Sequence, residues 1–422
     1  MASTVSVHDR RQAALSRLGH EASPQRRTRS PRVRPKSPGA RSPRESLGAP
    51  AGVWYGIIAV VIVFVMLGLV MVLSASAVTE ANRGNSPYSV FLRQAMWAGF
   101  GLVGMVIMAR IPYGLWRRMT VPLVVVGVAA MLGPFVPMIG GSVNGARAWI
   151  RFGGFSVQPS EFLKLAVVIA TADLLTRQAG AMNHRRRTLI PLALLAGVGA
   201  GLCMLQGDLG SAVVLGAVVF SIGWIAGVPF TPLAVMASGA TAAGLFFIVS
   251  SQTRIDRFTA FMDVTGNKDR LAWQTYQGFV GMASGGIGGS GIGGSKTKLG
   301  YLPYAHSDFI FAIIADELGL VGAGAVIGGF ILLVLFGVQT ALASTDRFGM
   351  LVAGGVSSWF GVQAIVNLGG VTGLMPVTGL TLPFFSAGGS SLFVSMVAVG
   401  LLLSVARRVG SRSEPEIRRA AS

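Results

Sequence analysis

The amino-acid sequence predicts an all-α polytopic membrane protein with about ten transmembrane helices, and three observations support this fold class. Of the 422 residues, 52% are hydrophobic and only 12% are charged, whereas soluble domains are ~25% charged. The apolar residues form successive runs close to the ~20 residues that a helix needs to cross a bilayer. The net charge of +19 lies mostly at the two ends of the chain and in alternate turns, a pattern that indicates membrane topology and argues against a nucleic-acid-binding protein.

The first 52 residues predict a disordered, basic cytoplasmic tail. They contain eleven Arg and Lys residues and three acidic ones, are rich in Ser and Pro, and show no apolar period. The segment is too long and too basic to be the n-region of a signal peptide. It either contacts anionic lipid headgroups or is a solvated tail that helps to set topology. The predicted domains are therefore this tail at 1–52, a transmembrane domain at 53–406 and a cytoplasmic C-terminal tail at 407–422.

Ten apolar runs follow the N-terminal tail, and each predicts one helix. They span 53–76, 89–109, 120–139, 158–177, 188–206, 208–227, 230–250, 309–340, 348–370 and 384–406. An even number of helices returns both termini to the cytoplasm, and the Arg-rich turns then lie inside, as the positive-inside rule requires. The run at 309–340 is longer than one span, so it must tilt, kink or protrude.

Two loops on the predicted outer face, 140–157 and 251–307, break this charge rule. The first carries Arg147 and Arg151 without an acidic residue. The second is the large loop between helices 7 and 8, with six basic residues against three acidic ones. Long loops are translocated whatever their charge. The basic residues therefore indicate either an anionic partner at the outer face or surface charges without a ligand.

Polar residues inside the apolar runs are candidates for function because charges in a membrane are costly. Glu161 and Lys164 are three residues apart on one helix face and are expected to pair. This pair either locks helix packing or forms the electrostatic floor of a site at the outer surface. Asp208 opens the sixth helix, where a carboxylate is expected to be an N-cap. Gln363 and Asn367 share one face of the ninth helix and are expected to form interhelical hydrogen bonds.

The eighth predicted helix begins with three acidic residues within ten positions. Asp308 lies where the basic outer loop meets the membrane, and both an N-cap and a general base explain a carboxylate there. Asp316 and Glu317 lie two turns deeper and are expected to hold the bundle together. The turn at 376–391 is rich in Gly, Pro and hydroxyl groups, so its backbone must be buried in protein or line a cavity.

The sequence does not predict a cofactor site. The single cysteine, Cys203, excludes a disulfide scaffold and a Cys-based zinc site, and no cluster has metal-ligand spacing, although a requirement for a divalent cation stays open. Residues 286–291 match G-x-G-x-x-G without a preceding strand, which argues against dinucleotide binding. A flexible loop whose amides, with Lys296 and Lys298, can cradle phosphate is the plainer interpretation.

Five stretches, in this order along the chain, resemble the SEDS family of cell-wall polymerases (shape, elongation, division and sporulation). They are Ser142–Ile150, Gln158–Leu165, Gln206–Gly210, Leu302–Gly319 and Leu380–Ser391. The resemblance covers about 53–406. Asn144 ahead of Gly-Ala-Arg, and the Tyr-Ala-His-Ser-Asp string ending at Asp308, are more similar to the division branch than to the elongation branch. The basic N-terminal tail resembles actinobacterial members.

The resemblance implies polymerisation of lipid II, an undecaprenyl-diphosphate-linked disaccharide peptide, into glycan strands at the outer face of the cytoplasmic membrane at the division septum. It also implies a class B penicillin-binding protein of the FtsI type as crosslinking partner, together with other membrane proteins of the division machinery. The family's catalytic Asp falls on Asp308, which would take the proton of the acceptor hydroxyl. Positive charge would stabilise the lipid diphosphate leaving group of an inverting displacement. The expected substrate-binding residues are Arg147, Glu161, Lys164, Arg257, Lys296, Lys298, His306, Ser390 and Ser391.

Three alternatives remain at this stage. The helix count and the intramembrane charges also suit a lipid II flippase, although the chain shows no internal repeat of the kind common in transporters. A scaffold that only docks a partner is a second alternative. The elongation-type polymerase of the same family is a third.

Overall fold

The computed structural model describes residues 52–143, 146–153, 155–269 and 272–420 of the chain. Apart from Gly52, the predicted N-terminal tail lies outside the described residues. The described part contains twelve α-helices and one small β-sheet, so the prediction of a helical polytopic membrane protein is confirmed.

Each of the ten predicted apolar runs contains one helix, and two further helices lie in the large loop. The helices are α1 Gly52–Asn82, α2 Ser89–Arg110, α3 Thr120–Ala130, α4 Pro159–Arg177, α5 Ile190–Leu205, α6 Leu209–Ala226, α7 Phe230–Val249, α8 Gln252–Met262, α9 Trp273–Gly285, α10 Ile310–Ala343, α11 Arg347–Val371 and α12 Gly389–Ala420. Helix α12 therefore continues past the predicted end of its span at 406.

The loop expected at 140–157 folds into a three-stranded antiparallel sheet in the order β1-β2-β3. Its strands are β1 Gly140–Val143, β2 Ala146–Phe152 and β3 Phe155–Val157. The segment was predicted only as a loop, because its strands are short and its glycines interrupt the alternation of apolar and polar residues that predicts a strand. The sheet is the one departure from an all-α fold within the described residues.

Eight of the described helices are long and apolar enough to cross a membrane. Of the ten predicted spans, the two that fall short are α3 and α4. Helix α3 ends after 11 residues because Gly133 and Pro134 start a short 3-10 turn. Helix α4 carries Glu161, Lys164 and Asp173 within its 19 residues. It is nevertheless a central helix, since most of its side chains are buried against neighbouring helices.

Helix α10 is interrupted at Gly319, where φ is 65° and ψ is −163°. This break confirms the expectation that the 309–340 run cannot be one straight span. A Cβ on Gly319 would overlap the backbone of the loop that packs against it. Only glycine therefore allows the backbone of α10 to approach the backbone of the loop so closely.

The glycine-rich loop at 286–291 fills this break with backbone hydrogen bonds. The amides of Ser290 and Gly291 donate to the carbonyls of Asp316 and Glu317, at 2.9 and 3.0 Å. In return, the amide of Leu320 donates to the Gly286 carbonyl at 2.9 Å. These bonds satisfy groups that a broken helix would leave unpaired in the membrane. The loop predicted to be flexible is thus docked onto α10.

Contacts between the connecting turns divide them into two groups that match the predicted faces. On the predicted inner side, the Tyr113 hydroxyl donates to Asp346, and Arg117 pairs with Asp173 at 3.0 Å. On the predicted outer side, the Arg147 amide donates to the Gln206 carbonyl at 2.9 Å. This sorting agrees with the alternation of basic inner turns expected from the charge pattern.

Candidate active site

Asp308 lies in the turn immediately before α10 and is partly buried. The N-cap residue of α10 is Phe309, and no side chain caps the helix, so the N-cap interpretation of Asp308 is wrong. The Ser307 hydroxyl donates to Oδ1 of Asp308 at 3.0 Å. Burial raises the pKa of the Asp308 carboxyl to about 6, although Ser307, its own backbone amide and the charge of Arg257 act in the opposite direction. A carboxyl with this pKa is deprotonated, and still basic, near neutral pH.

A narrow cleft runs beside Asp308, between the outer end of α11 and the segment that follows it. Its lining residues are Asp308, Phe309, Val366, Asn367, Gly370, Val371, Val377, Thr378 and Gly379. Most of this lining is backbone or apolar side chain. Three polar side chains line it from separate segments, namely Asp308, Asn367 and Thr378. The cleft as it stands has room for about one water molecule.

Asn367 joins the two walls of this cleft. Its Nδ2 donates to the Asp308 carbonyl at 3.0 Å and to the Leu380 carbonyl at 2.6 Å. The side chain is only 4% exposed, and its Oδ1 is buried without a hydrogen-bond partner among the described residues. Two donated bonds from one amide fix the backbone of the candidate base relative to the 377–381 segment. Both acceptors lie outside the helices, in the turn before α10 and in the segment after α11, so the interhelical bond expected of Asn367 is replaced by two helix-to-turn bonds. Its contact with Asp308 was not predicted.

Glu161 and Lys164 form the predicted ion pair, with an Nζ–Oε1 distance of 2.9 Å and both side chains 1% exposed. Lys164 Nζ also donates to Gln363 Oε1 at 2.8 Å and lies 5.3 Å from the centroid of the Trp359 ring. A buried pair persists only if its charges are well compensated. Gln363 and Trp359 supply further contacts to the Lys164 ammonium, whereas Oε2 of Glu161 is buried without a hydrogen-bond partner among the described residues. The pairing prediction is confirmed, whereas a contact of either residue with substrate stays a prediction.

The ion pair is connected to Asp308 through α11. Gln363 Nε2 donates to the Thr381 carbonyl at 2.9 Å, one residue beyond the Leu380 carbonyl that Asn367 binds. Gln363 and Asn367 are one helical turn apart on α11, so their two side-chain amides bind the consecutive backbone carbonyls of the 380–381 segment. The Glu161–Lys164 pair is thus linked to the Asp308 backbone through two side chains of α11, and its role as an electrostatic floor stays a prediction.

The hydroxyl-rich turn is buried, as its composition predicts. Ser390 Oγ accepts from the Gln158 amide at 3.1 Å, and Ser391 Oγ lies 2.9 Å from Thr381 Oγ1. Both serines are almost fully buried and fasten the start of α12 to its neighbours. Their expected contact with substrate stays a prediction.

Asp208 is the N-cap of α6, as expected. Its Oδ1 accepts from the Ser211 amide at 2.9 Å, and its Oδ2 accepts from Gln158 Nε2 at 2.9 Å. Since Gln158 also bonds Ser390, the outer ends of α4, α6 and α12 are tied together.

The basic residues predicted to bind diphosphate fall into two classes. Arg147, Arg257 and Lys296 are exposed and are free to meet an anionic ligand at the outer face. Lys298 is only 4% exposed, pairs with Glu317 at 2.7 Å and donates to Ser74 Oγ at 3.0 Å. In this structure Lys298 therefore ties the outer loop to α1 and α10 and does not present its charge at the surface, contrary to its expected role.

The two deeper acidic residues of α10 have the structural roles predicted for them. Asp316 accepts hydrogen bonds from Ser284 at 3.0 Å and from Thr297 at 3.1 Å, and Glu317 receives Lys298. These contacts attach α9 and the glycine-rich loop to the part of α10 that follows Asp308.

His306 is partly buried, and burial lowers the pKa of its imidazole, so the ring is neutral at pH 7. Its carbonyl accepts from the Ala387 amide at 2.8 Å, which joins the turn carrying Asp308 to the turn before α12. Within the part of the chain that the structure describes, no three His, Cys, Asp or Glu side chains are grouped to hold a metal ion.

Comparison with known proteins gives consistent results. The sequence model of the FtsW/RodA/SpoVE family, described as "Cell cycle protein", matches residues 55–410. A "Probable peptidoglycan glycosyltransferase FtsW" of Trichlorobacter lovleyi is 38% identical over 347 residues, covering 82% of this chain and 91% of that protein. The protein of the same name from Mycobacterium tuberculosis is 36% identical over 384 residues, covering 90% and 72% respectively.

Solved structures show the same fold. A chain from work titled "Structural coordination of polymerization and crosslinking by a peptidoglycan synthase complex" has a TM-score of 0.67 and 30% identity, covering 84% of this chain and 97% of that one. The rod-shape-determining protein RodA of Thermus thermophilus has a TM-score of 0.62 and 29% identity, covering 84% and 96%. The family model over 55–410 and these relatives show that the chain belongs to the FtsW/RodA/SpoVE family, the SEDS family that its motifs resemble.

Proposed function

We propose that this chain is a peptidoglycan glycosyltransferase that polymerises lipid II into glycan strands, with Asp308 as its general base. The observation that carries the proposal is the Asp308 carboxyl, which lies beside the outer end of α11 with its pKa raised to about 6. Relatives at 34–38% identity carry the name of this activity.

The proposed reaction is a single displacement. The 4-hydroxyl of the acceptor sugar attacks C1 of the donor sugar, the new glycosidic C–O bond forms, and the bond from C1 to the diphosphate oxygen breaks. Asp308 accepts the hydroxyl proton, and the polyprenyl diphosphate leaves with the bonding electrons. A hydroxyl is a poor nucleophile until a base removes its proton, which is why a deprotonated carboxyl is needed there.

The leaving diphosphate needs positive charge on the same side as Asp308. Arg257 lies close enough to lower the pKa of Asp308 by its charge, and its side chain is exposed on α8. Lys296 is exposed on the outer loop. We assign the diphosphate to Arg257 and Lys296, whereas Lys298 could take part only if its pair with Glu317 opened.

The chain is a multi-pass membrane protein, and we place its activity at the division septum with a class B penicillin-binding partner. The FtsW name of the curated relatives supports the septal role. The structural neighbour whose title couples polymerisation with crosslinking supports a partner of that kind.

The decisive test is polymerisation of labelled lipid II by the purified protein with its penicillin-binding partner. Asp308→Asn is expected to abolish glycan synthesis and to melt no lower than the parent, because burial already disfavours the charged carboxyl. Asp263→Asn removes a surface carboxylate from the same outer loop and is the matched control. Full polymerisation by Asp308→Asn would refute the proposal.

The same preparation distinguishes the rival functions. Transport of lipid II across vesicles that survives Asp308→Asn, without glycan synthesis by the parent, would favour a flippase. A fluorescent fusion found along the side wall instead of at the septum would favour the elongation polymerase.

A further inference from the structure

The small sheet presents an unusual combination of side chains on one face of β2. Successive strand residues point to opposite faces, so Arg147, Trp149 and Arg151 share one face, here called the Arg-Trp-Arg face. Both arginines are exposed and Trp149 is partly exposed, whereas Ala148 on the opposite face is buried. Ile150, also on that opposite face, packs against Gly133. The sheet therefore turns Ala148 and Ile150 to the bundle and its Arg-Trp-Arg face outward. Phe152, the last residue of β2, lies on the same face as Ala148 but is exposed.

The length of α3 fixes the depth of this sheet in the membrane. Helix α3 begins two residues after the exposed Arg118 on the predicted inner side, and its 11 residues rise about 16 Å. The 3-10 turn Gly133–Phe135 adds about 6 Å. The chain has then covered less than the ~30 Å of hydrocarbon in a bilayer. Residues 136–139 lead from there to Gly140, so β1 begins close to the outer edge of the hydrocarbon layer.

A second connection gives the same depth. The Arg147 amide donates to the Gln206 carbonyl at 2.9 Å, which attaches the start of β2 to the outer end of α5. Helix α5 has 16 residues and rises about 24 Å. The Arg-Trp-Arg face is therefore held at the level of the lipid headgroups and does not project into the periplasmic space.

Two large apolar side chains at the ends of the sheet are nearly free of protein contact. Met138 is 94% exposed and Phe152 is 79% exposed. Exposed apolar groups of this size indicate a surface that another phase or molecule covers. Residues 131–160 contain no Asp or Glu, so a covering surface of complementary charge is anionic.

We propose that the sheet is a lipid-interface anchor, in which Arg147 and Arg151 bind the phosphodiester groups of anionic phospholipids in the outer leaflet. Trp149 lies among the headgroups, where Trp is enriched in membrane proteins, and Met138 and Phe152 enter the upper acyl chains. The sheet stays at headgroup depth because the unpaired edge of β1 cannot enter hydrocarbon. This anchor does not depend on the proposed glycosyltransferase activity, and it gives Arg147 a ligand other than the diphosphate of the substrate.

The depth of the sheet can be measured directly with single cysteines in the full-length chain. The native Cys203 is buried and is replaced by Ser. Met138→Cys and Phe152→Cys are labelled with an environment-sensitive fluorophore in nanodiscs of phosphatidylcholine and phosphatidylglycerol. We expect several-fold stronger quenching by headgroup-labelled nitroxide lipid at these two positions than at Lys296→Cys, an exposed control on the same side. Equal quenching of all three positions by aqueous iodide would overturn the proposal.

The role of the arginines is tested by lipid retention. After delipidating washes, the double variant Arg147→Gln with Arg151→Gln is expected to retain several-fold less phosphatidylglycerol in native mass spectrometry than the parent. Lys268→Gln, which removes an exposed charge elsewhere on the same side, should retain as much as the parent. Unchanged retention in the double variant would refute phosphate binding.

The quenching experiment also tests a protein partner. Shielding of positions 138 and 152 only after a penicillin-binding partner is added would refute the proposal, since the surface would then be a protein interface.

Discussion

At the scale of single residues, the candidate site depends on how one carboxyl is buried. Asp308 lies outside α10, which begins only at Ile310. It is also fixed in place, because Asn367 donates a hydrogen bond to its carbonyl. Removal from water raises the pKa of its carboxyl to about 6, within the range in which a base can both accept and release a proton under physiological conditions.

The pH dependence of polymerisation follows from this pKa. A base must be deprotonated, so the rate is expected to be constant above about pH 7 and to fall as pH decreases through about 6. An ordinary exposed Asp would lose its charge only near pH 4. A pH–rate profile of the purified complex measures the midpoint. A midpoint near 4 would mean that a different group, or an exposed carboxyl, limits the reaction.

Asn367 is expected to position Asp308. In Asn367→Ala, the carbonyls of Asp308 and Leu380 lose their shared donor, and each buried bond lost costs ~1 kcal/mol or more. We expect a large decrease in kcat together with a displaced midpoint of the pH–rate profile, because the environment of Asp308 changes. Asn267→Ala, which removes a single bond from a surface Asn to the Asp263 carbonyl, is the control. A lowered melting temperature with an unchanged pH–rate profile would reduce Asn367 to a structural role.

At the scale of elements, two sets of contacts hold the helices on either side of the Asp308 cleft, α10 and α11. The glycine-rich loop at 286–291 docks into the break of α10 at Gly319 by backbone hydrogen bonds. The Glu161–Lys164 pair on α4 supports α11 through Gln363. Both sets of contacts depend on close approach or complete burial, so both are sensitive to small changes in side-chain size or charge.

Neighbouring glycines test the loop. At Gly289, φ is 81° and an added Cβ would overlap the carbonyl of Glu317, whereas a Cβ at Gly288 would meet nothing within 4 Å. Gly289→Ala is therefore expected to lower both the melting temperature and the polymerisation rate, and Gly288→Ala to leave both near the parent values. If the two variants behaved alike, the docking of this loop would not matter for the position of α10.

The buried ion pair is tested by removing one partner. Lys164→Met leaves the Glu161 carboxylate buried without its cation and is expected to destabilise the protein by about 3–5 kcal/mol. The double variant Glu161→Leu with Lys164→Met removes both charges and should recover part of this loss in thermal unfolding. Arg83→Ala breaks the pair of a surface arginine with Glu80, whose carboxylate keeps hydrogen bonds from Asn85 and Ser89, and should cost less than about 1 kcal/mol. A double variant no more stable than the single one would show that the lost packing, and not the unpaired charge, is responsible.

At the scale of the whole molecule, charge separates two faces. Turns rich in Arg contact one another on the predicted inner side, while the sheet, the large loop and the Asp308 cleft lie on the other. A polymerase of an extracellular polymer needs its cleft on the outer side and its basic turns inside, and the positive-inside rule supplies this orientation.

Cysteine accessibility checks this orientation. In intact cells carrying the Cys203→Ser background, Lys296→Cys is expected to react with a membrane-impermeant maleimide, whereas Arg186→Cys should react only after permeabilisation. Both side chains are exposed, so a difference in labelling reports sidedness and not burial. Labelling of Arg186→Cys in intact cells would show that the true topology is the inverse of the predicted one.

Sequence reasoning located all ten apolar helices, the Glu161–Lys164 pair and the cap at Asp208, because each depends on residues that are close together in the chain. It also proposed Asp308 as the base but could not choose between base and N-cap. It placed Lys298 at the surface, and it missed the three-stranded sheet. The burial of Lys298 depends on Ser74 and Glu317, and the position of Asp308 depends on Asn367, which are contacts between separate segments of the chain. The sheet pairs residues that are close in sequence, and the glycines in its strands obscured it.

The sequence by itself therefore located the apolar helices, predicted their orientation and identified the family, since hydropathy, charge and motif spacing are local properties of a chain. Only the tertiary structure decided which polar groups are available for chemistry. Folding buries Lys298 against Glu317 while leaving Lys296 exposed, and it places Asn367 against the Asp308 carbonyl. The physical reason is that burial and pairing, which set both charge and pKa, depend on which distant segments pack together.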